Sequence, residues 1–269
     1  MYPIAIPSAK RENSKYFKTI PLLRNIGYDM SYVYLFLPND SVHTYIENYK
    51  LDDINIVSCN NNNIVTVRNY IEKEYFPNKT KLVCMDDDIE YLIYKDNYTN
   101  DSINDTDCII TRISSATILQ SLLDKCFSLA IANGCLLWGV YPIARNVPWF
   151  RETKTNIGNN HILASFSGVI VDNTLPYQNV SLACKEEYER AFIYGKNIRV
   201  GFIAISTKYY TNDGIGIRPP SLQLQVCNEI IEKYPGRYSK TPLKIKKKDG
   251  IPKNYDMRLN IHYYTKKNE

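Results

Sequence analysis

The stretch KLVCMDDDIEYL, residues 81–92, sets three carboxylates in a row directly after an apolar run. Lys81 to Met85 reads as a buried strand, so Asp86, Asp87 and Asp88 stand at its carboxyl end. Their mutual repulsion there costs free energy unless a positive group lies among them. In DDD, the first and third side chains of an extended segment point the same way, so Asp86 and Asp88 can serve one site while Asp87 turns aside.

Upstream of this stretch, strands and helical stripes alternate. YPIAIP (2–7), SYVYLFLP (31–38) and INIVS (54–58) read as strands. Between them lie a stripe of Tyr16, Phe17, Ile20, Leu23 and Ile26, broken by Pro21, and a helix capped by Asp40 or Ser41 that carries Val42, Tyr45, Ile46 and Tyr49. A further helix is expected from Ile64 to Phe76. The order β-α-β-α-β-α-β is that of a parallel sheet covered by helices, whose ligands bind beyond the carboxyl ends of the strands. Ser8, Lys10 and Arg11 of PSAKR (7–11) follow the first strand as the aspartates follow the fourth. The two segments therefore describe a cleft with a basic lip and an acidic floor.

Beyond Ile89 the pattern loosens. NYTNDSINDTD (97–107) reads as a polar loop and Thr111 to Asn133 as one long helix. CLLWGV (135–140), ILASFSGVIV (162–171) and IRVGFIAI (198–205) read as strands, with a long loop at 141–160, a helix from Cys184 to Tyr194 and a turn at TNDGIG (211–216). The two halves are expected to share one sheet.

The 269 residues are 44% hydrophobic, enough for a real core, and the net charge of +5 permits a polyanionic partner without demanding one. The densest basic run is LKIKKK at 243–248, with Lys244, Lys246, Lys247 and Lys248; Arg145 and Arg151 form a second group. Cys59, Cys84, Cys108, Cys126, Cys135, Cys184 and Cys227 are odd in number and lack zinc spacing, so reduced core thiols are expected. No stretch reaches the roughly 18 apolar residues of a membrane helix, and no signal-peptide core is present, so the expectation is a cytoplasmic protein, in the host cell if viral, with no membrane partner.

Three readings of the aspartates compete. A solvated acidic turn seldom follows a buried strand at the ligand edge of a sheet. A phosphoryl-accepting nucleophile of the haloacid-dehalogenase type belongs after the first strand. A divalent-metal site remains: Mg²⁺ or Mn²⁺ takes oxygen ligands shared with substrate phosphates, and a nucleoside diphosphate fits.

IPSAKR, VRNYI (67–71), MDDDI, WGVYP (138–142), SFSGVI (165–170), KEEYER (185–190) and NDGIG (212–216) occur in the order seen in GT-A glycosyltransferases. More specifically, the chain resembles the TET/JBP-associated glycosyltransferases of phages and large DNA viruses, relatives of the base J glucosyltransferase. The resemblance covers nearly the whole chain, and its strongest element is R-N-x-I followed by the D-D-D strand.

The resemblance implies a single GT-A domain over 1–269, an α/β fold with a Rossmann-like mixed sheet flanked by helices. Residues 1–90 would form the nucleotide-sugar-binding half, and 91–269 the acceptor-binding and catalytic half with a basic C-terminal tail. It implies a metal-dependent, inverting transfer of a sugar, glucose first, from a UDP-sugar to a hydroxyl, with a hydroxymethylated pyrimidine in DNA as acceptor. Pro7, Ser8, Lys10 and Arg11 would border the base and diphosphate, Arg68 would reach the same nucleotide, and Asp87 is grouped with them. Asp86 would face the ribose or a metal-bound water. Asp88 would hold Mn²⁺ or Mg²⁺ directly, with Asp86 as its second ligand. SFSGVI (165–170), with Ser167 and Gly168, would pass beneath the donor sugar. Glu187, or in its place Glu186, would be the general base. Such proteins usually carry Glu-Asp where this chain has Glu186-Glu187, and Gly-Gly where it has Asp213-Gly214.

Plainer readings stand beside these. Arg68 could pair with Glu72 on a helix surface, KEEYER could be a solvated face, and Trp138, Tyr141 and Trp149 could be core aromatics rather than an acceptor wall. His161 and His262 are possible third metal ligands but stay unassigned, since a lone histidine is more often structural. A protein or glycan acceptor, or a non-catalytic nucleotide-binding module, are the rival functions.

Overall fold

The computed structural model describes residues 1–60, 63–96, 108–142, 146–179, 181, 185–207, 220–236, 238–242 and 255–259. The first part follows the expected alternation. Strand β1 (Ile4–Pro7) leads to helix α1 (Thr19–Asn25), then β2 (Val33–Pro38), α2 (Val42–Tyr49), β3 (Asn55–Cys59), α3 (Ile64–Asn69) and β4 (Lys81–Met85). Pro21 does not break α1, because the helix starts only at Thr19 and Pro21 falls in its first turn, where no intrahelical N–H is needed. The helix expected up to Phe76 changes character at Tyr70, where α3 passes into a π-helical segment, Tyr70–Tyr75, that buries Ile71, Glu72 and Lys73.

The four strands are parallel and lie in the order β3-β2-β1-β4. β-Branched and aromatic residues favour these extended segments, and alternate positions serve two cores. Ile4, Ile6, Leu35, Leu37, Val83 and Met85 pack on one side with Leu23 of α1 and Tyr45 of α2. Ala5, Phe36, Leu82 and Cys84 pack on the other with Ile71 and Phe76. Each fully buried Leu, Ile or Phe contributes about 1.5–3 kcal/mol of apolar burial.

The second part departs from its expectation in three places. IEYLIYK forms strand β5 (Ile89–Lys95), and β6 (Ile110–Arg112) occupies the start of the expected long helix. That helix, α4 (Ala116–Ala132), begins at Ser115, whose side chain accepts from the Ile118 N–H at 3.3 Å. The loop expected at 141–160 holds α5 (Val147–Glu152) and β8 (Asn156–Gly158), on either side of which lie β7 (Leu137–Tyr141) and β9 (Phe166–Ile170). Helix α6 (Glu186–Tyr194), strand β10 (Asn197–Thr207), helix α7 (Pro220–Lys233) and the hairpin β11 (Tyr238–Pro242) and β12 (Tyr255–Leu259) complete the chain. The hydrophobic helix α7 had no counterpart in the sequence reading.

All strands up to β10 join one sheet in the order β3-β2-β1-β4-β9-β7-β10-β5-β6, with β8 paired to β10. Strand β9 runs antiparallel to both β4 and β7, so β4 and β7 point the same way. The expected α/β class is thus present as a mixed sheet flanked by helices, with segments of both halves of the chain hydrogen-bonded side by side. The loop at 97–107, Arg145, Cys184, the turn at 211–216 with Asp213 and Gly214, the lysines of 243–248 and His262 lie outside the described residues. Cys59, Cys84, Cys108, Cys126, Cys135 and Cys227 are buried free thiols. Among the described residues, no helix is long and apolar enough to cross a membrane.

Candidate functional site

The carboxyl ends of β1, β2 and β4 border a cleft of about 420 Å³. Pro7, Ser8 and Arg11 follow β1, Pro38 ends β2, and Asp86, Asp87 and Asp88 follow β4. Because β9 is antiparallel, the residues that precede it, Leu163, Ala164 and Ser165, reach the same edge. Helix α3 supplies Ile64, Val67 and Arg68, and α6 closes the cleft with Glu186 and Glu187.

The repulsion among the three aspartates is answered by two arginines. Arg68 Nη2 lies 3.2 Å from Asp86 Oδ1. Arg11 reaches two carboxylates, with Nε 3.3 Å from Asp87 Oδ2 and Nη2 3.6 Å from Asp88 Oδ2. Asp87 is the most buried of the three: it accepts a hydrogen bond from the Ser8 hydroxyl, and the Ser8 Oγ is 2.8 Å from the Tyr45 hydroxyl. Tyr45 in turn accepts from the Arg11 backbone N–H at 3.0 Å, so α2 holds the loop that carries Arg11. Burial pushes the Asp87 carboxyl up to about 7, against the pull of Arg11 and Ser8. Burial, then the charge of Asp86, pushes Asp88 up to about 6. Burial works against the charge on Arg68, but Asp86 and Glu186 outweigh it and hold the guanidinium above its ordinary range.

Helix α6 is no solvated face. Glu186, Glu189 and Arg190 are buried, and its three first-turn glutamates suit the positive end of the helix. Glu186 Oε1 sits 3.5 Å from Arg68 Nε. Glu187 keeps a partly exposed side chain, with Oε1 3.9 Å from His161 Nε2. From behind, Glu189 is bound by Lys233 and Tyr234 of the α7 end at 2.5 and 2.8 Å, and Tyr188 packs on Val226, Cys227 and Ile230 of α7. Arg190 Nη2 lies 2.7 Å from Glu72 Oε1 and Nη1 donates to Ser167 at 2.9 Å, which ties α6 to the π-helical segment and to β9. The alternative Arg68–Glu72 pair does not form, because the π turn beginning at Tyr70 carries Glu72 off the Arg68 face to Arg190.

No family model and no curated protein matches the chain. Among solved structures it is similar to S. aureus TarS 1-349, in two crystal structures of which one is in complex with UDP-GlcNAc. The identity is 10% and 11%, the TM-score 0.48 in both, and the match covers 86% of this chain. It spans 66% and 65% of those TarS chains.

The cleft gathers Pro7, Ser8, Arg11, Arg68, Asp86, Asp87, Asp88, Glu186 and Glu187 from distant parts of the chain. Four other expected positions fall elsewhere. Lys10 is exposed, with a left-handed φ of 59°, and borders a neighbouring depression with Glu12 and Asp40. Ser167 is fully buried against Arg190 rather than beneath a ligand. Gly168 is a packing glycine: a Cβ there would lie 2.2 Å from the Trp138 ring. Trp138 itself is fully buried between Phe127 and Phe166, so it has no surface to offer an acceptor. Tyr141 and Trp149 remain together, their rings 5.4 Å apart, with Trp149 44% exposed. They stand at the carboxyl end of β7, the same edge of the sheet as Asp86.

Sequence reasoning missed Leu163, Ala164, Phe36, Pro38, Asn63, Ile64 and Val67, and of SFSGVI it is Ser165 that reaches the cleft. For Pro38 and Asn63 a signal existed, since one ends and the other follows a parallel strand. For Leu163 and Ala164 none did, because strand direction is set by pairing.

Among the described residues, no group of three or more His, Cys, Asp or Glu side chains is placed to hold a metal ion. Asp86 and Asp88 are the carboxylates that a cation could share with a bound diphosphate. Carboxylate oxygens of this kind suit a hard cation such as Mg²⁺ or Mn²⁺.

Proposed function

We propose that the chain is a glycosyltransferase that moves a sugar from a UDP-sugar to a hydroxyl, with inversion and with Mn²⁺ or Mg²⁺. The observation that carries this reading is the convergence, in one cleft, of an acidic strand end, two arginines and a carboxylate left without a strong cation partner. Such a site suits a ligand with a diphosphate beside a reacting carbon. The GT-A resemblance of the sequence supplies the donor class.

Asp88 and Asp86 would hold the cation, which supplies positive charge to offset the charge building on the departing diphosphate. Arg11 and Arg68 line the same cleft and would stabilise that group electrostatically, the Arg11 backbone fixed by Tyr45 and the Arg68 side chain held by Glu186. The slot lined by Phe36, Ile64 and Val67 offers apolar walls to a planar base. Glu187 accepts the proton of the attacking hydroxyl as its oxygen bonds the anomeric carbon and the bond from that carbon to the diphosphate oxygen breaks, releasing UDP. Glu186, engaged by Arg68, is the less suited of the two.

The acceptor rests on the sequence resemblance, which points to a hydroxymethylated pyrimidine in DNA. Tyr141 and Trp149 are then the aromatic edge it would meet. The test is UDP release across a panel of UDP-sugars, with and without DNA containing hydroxymethyluracil or hydroxymethylcytosine. DNA-dependent release supports this acceptor; release stimulated only by proteins or glycans redirects the reading to those; and no release with any donor overturns it.

A further inference from the structure

His161 is fixed from three sides. Its ring stacks on Tyr188 at a centroid distance of 3.9 Å and an angle of 21°, and Tyr188 is itself backed by α7. Its carbonyl accepts a hydrogen bond from the Arg199 guanidinium of β10. The preceding residue is clamped to the fully buried Asn197: the Asn160 N–H donates to the Asn197 carboxamide oxygen at 3.1 Å, and the Asn197 amide donates back to the Asn160 carbonyl at 3.0 Å. The result is a buried Nε2 aimed at Glu187 Oε1, 3.9 Å away. Among the described residues, the charged groups around it include Glu187 in front, Arg199 at its backbone, and Lys185 over the Tyr188 ring at 5.6 Å.

We propose that His161 is the positioning residue for Glu187, its Nε2–H holding one carboxylate oxygen so that the other faces the acceptor hydroxyl. The proposal rests on the reading of Glu187 as the general base. An ionised carboxylate only accepts hydrogen bonds, so the imidazole must present its Nε2 proton to it. At 3.9 Å the pair is longer than a hydrogen bond, and contacts of this kind tighten when substrate fills the cleft. His161 gains and loses no proton in the reaction. It fixes the direction of the group that does, and this requires rigid support of the sort that Tyr188, Arg199 and Asn197 provide.

The test uses substitutions that keep the ring stack or keep the donor. His161→Phe retains an aromatic ring on Tyr188 and removes both ring nitrogens, Nε2 among them. Its kcat should fall, by up to about 100-fold as a misplaced catalytic group costs, while KM for the UDP-sugar and the melting temperature stay at wild-type values. His161→Gln, which can donate from a similar point, should recover part of the loss. By NMR of the full chain with UDP-sugar bound, a slowly exchanging Nε2 proton should be seen in the wild type and be lost in Glu187→Ala. Wild-type turnover in His161→Phe, with Glu187→Gln inactive, overturns this proposal and leaves the base assignment standing. Full turnover in Glu187→Gln removes the base assignment and this proposal with it. An Nε2 proton indifferent to Glu187→Ala overturns the contact whatever the kinetics.

Discussion

Arg68 Nε lies 3.5 Å from Glu186 Oε1, and both side chains are buried. This contact separates two glutamates that are adjacent in sequence and chemically alike. Glu186 serves the charge of Arg68, which also serves Asp86, whereas Glu187 faces the cleft beside His161.

The two glutamates should therefore fail differently. Glu186→Gln breaks a buried ion pair, which costs about 3–5 kcal/mol of stability and weakens UDP-sugar binding through Arg68. Glu187→Gln should keep stability and affinity while turnover falls by about 10² to 10⁴. Thermal melts with steady-state kinetics on both variants decide it, and a reversed pattern would make Glu186 the base.

Metal dependence should reside in Asp88. Asp88→Asn is expected to abolish Mn²⁺-stimulated UDP binding, measured by calorimetry, and transfer should vanish in EDTA and return with Mn²⁺. Normal activity in EDTA would remove the cation from the reading and leave Arg11 and Arg68 as its replacement.

A pH dependence follows from Asp87. Its carboxyl is raised from 3.8 to about 7, so the folded state holds a proton that the unfolded chain has released. The associated stability is fully present below about pH 4 and is lost as pH rises through about 7. Asp88 acts in the same direction, up to about 6. In metal-free buffer, the difference in melting temperature between wild type and Asp87→Asn should shift in favour of the variant as pH rises from 4 to 7. A difference that is flat across that range would contradict the burial of this carboxyl.

The two tryptophans should separate folding from acceptor use. Trp138→Ala empties a fully buried site and should cost about 3–5 kcal/mol. Trp149→Ala removes an exposed ring and should leave the melting temperature unchanged, raise KM for the acceptor, and spare UDP-sugar hydrolysis without acceptor. Unchanged acceptor kinetics would take α5 out of the acceptor site.

The continuous apolar runs of β1, β2 and β4, and the polar residues just past their ends, are properties of contiguous sequence. They placed Ser8, Arg11, Asp86 and Asp88 at one edge because parallel strands carried by crossover helices must all end on the same side. Arg68 and the Glu186-Glu187 pair came from the resemblance rather than from any local pattern. Ser167, Gly168 and Trp138 were misplaced for one reason: a strand that is buried on both faces looks the same in sequence whether its small residues admit a ligand or a tryptophan ring.

The sequence alone thus determined the class of the fold, the ligand-binding edge and the charge that edge would carry, since these depend on local periodicity and on which residues end each strand. Tertiary structure decided the rest. The antiparallel direction of β9 brought residues 163–165 to the cleft instead of 167 and 168, and the π turn at Tyr70 gave Glu72 to Arg190 and left Arg68 for Asp86 and Glu186. Support from α7 and β10 placed His161 against Glu187. Strand direction and the partner of each buried charge depend on residues tens of positions away, and no window of local sequence contains them.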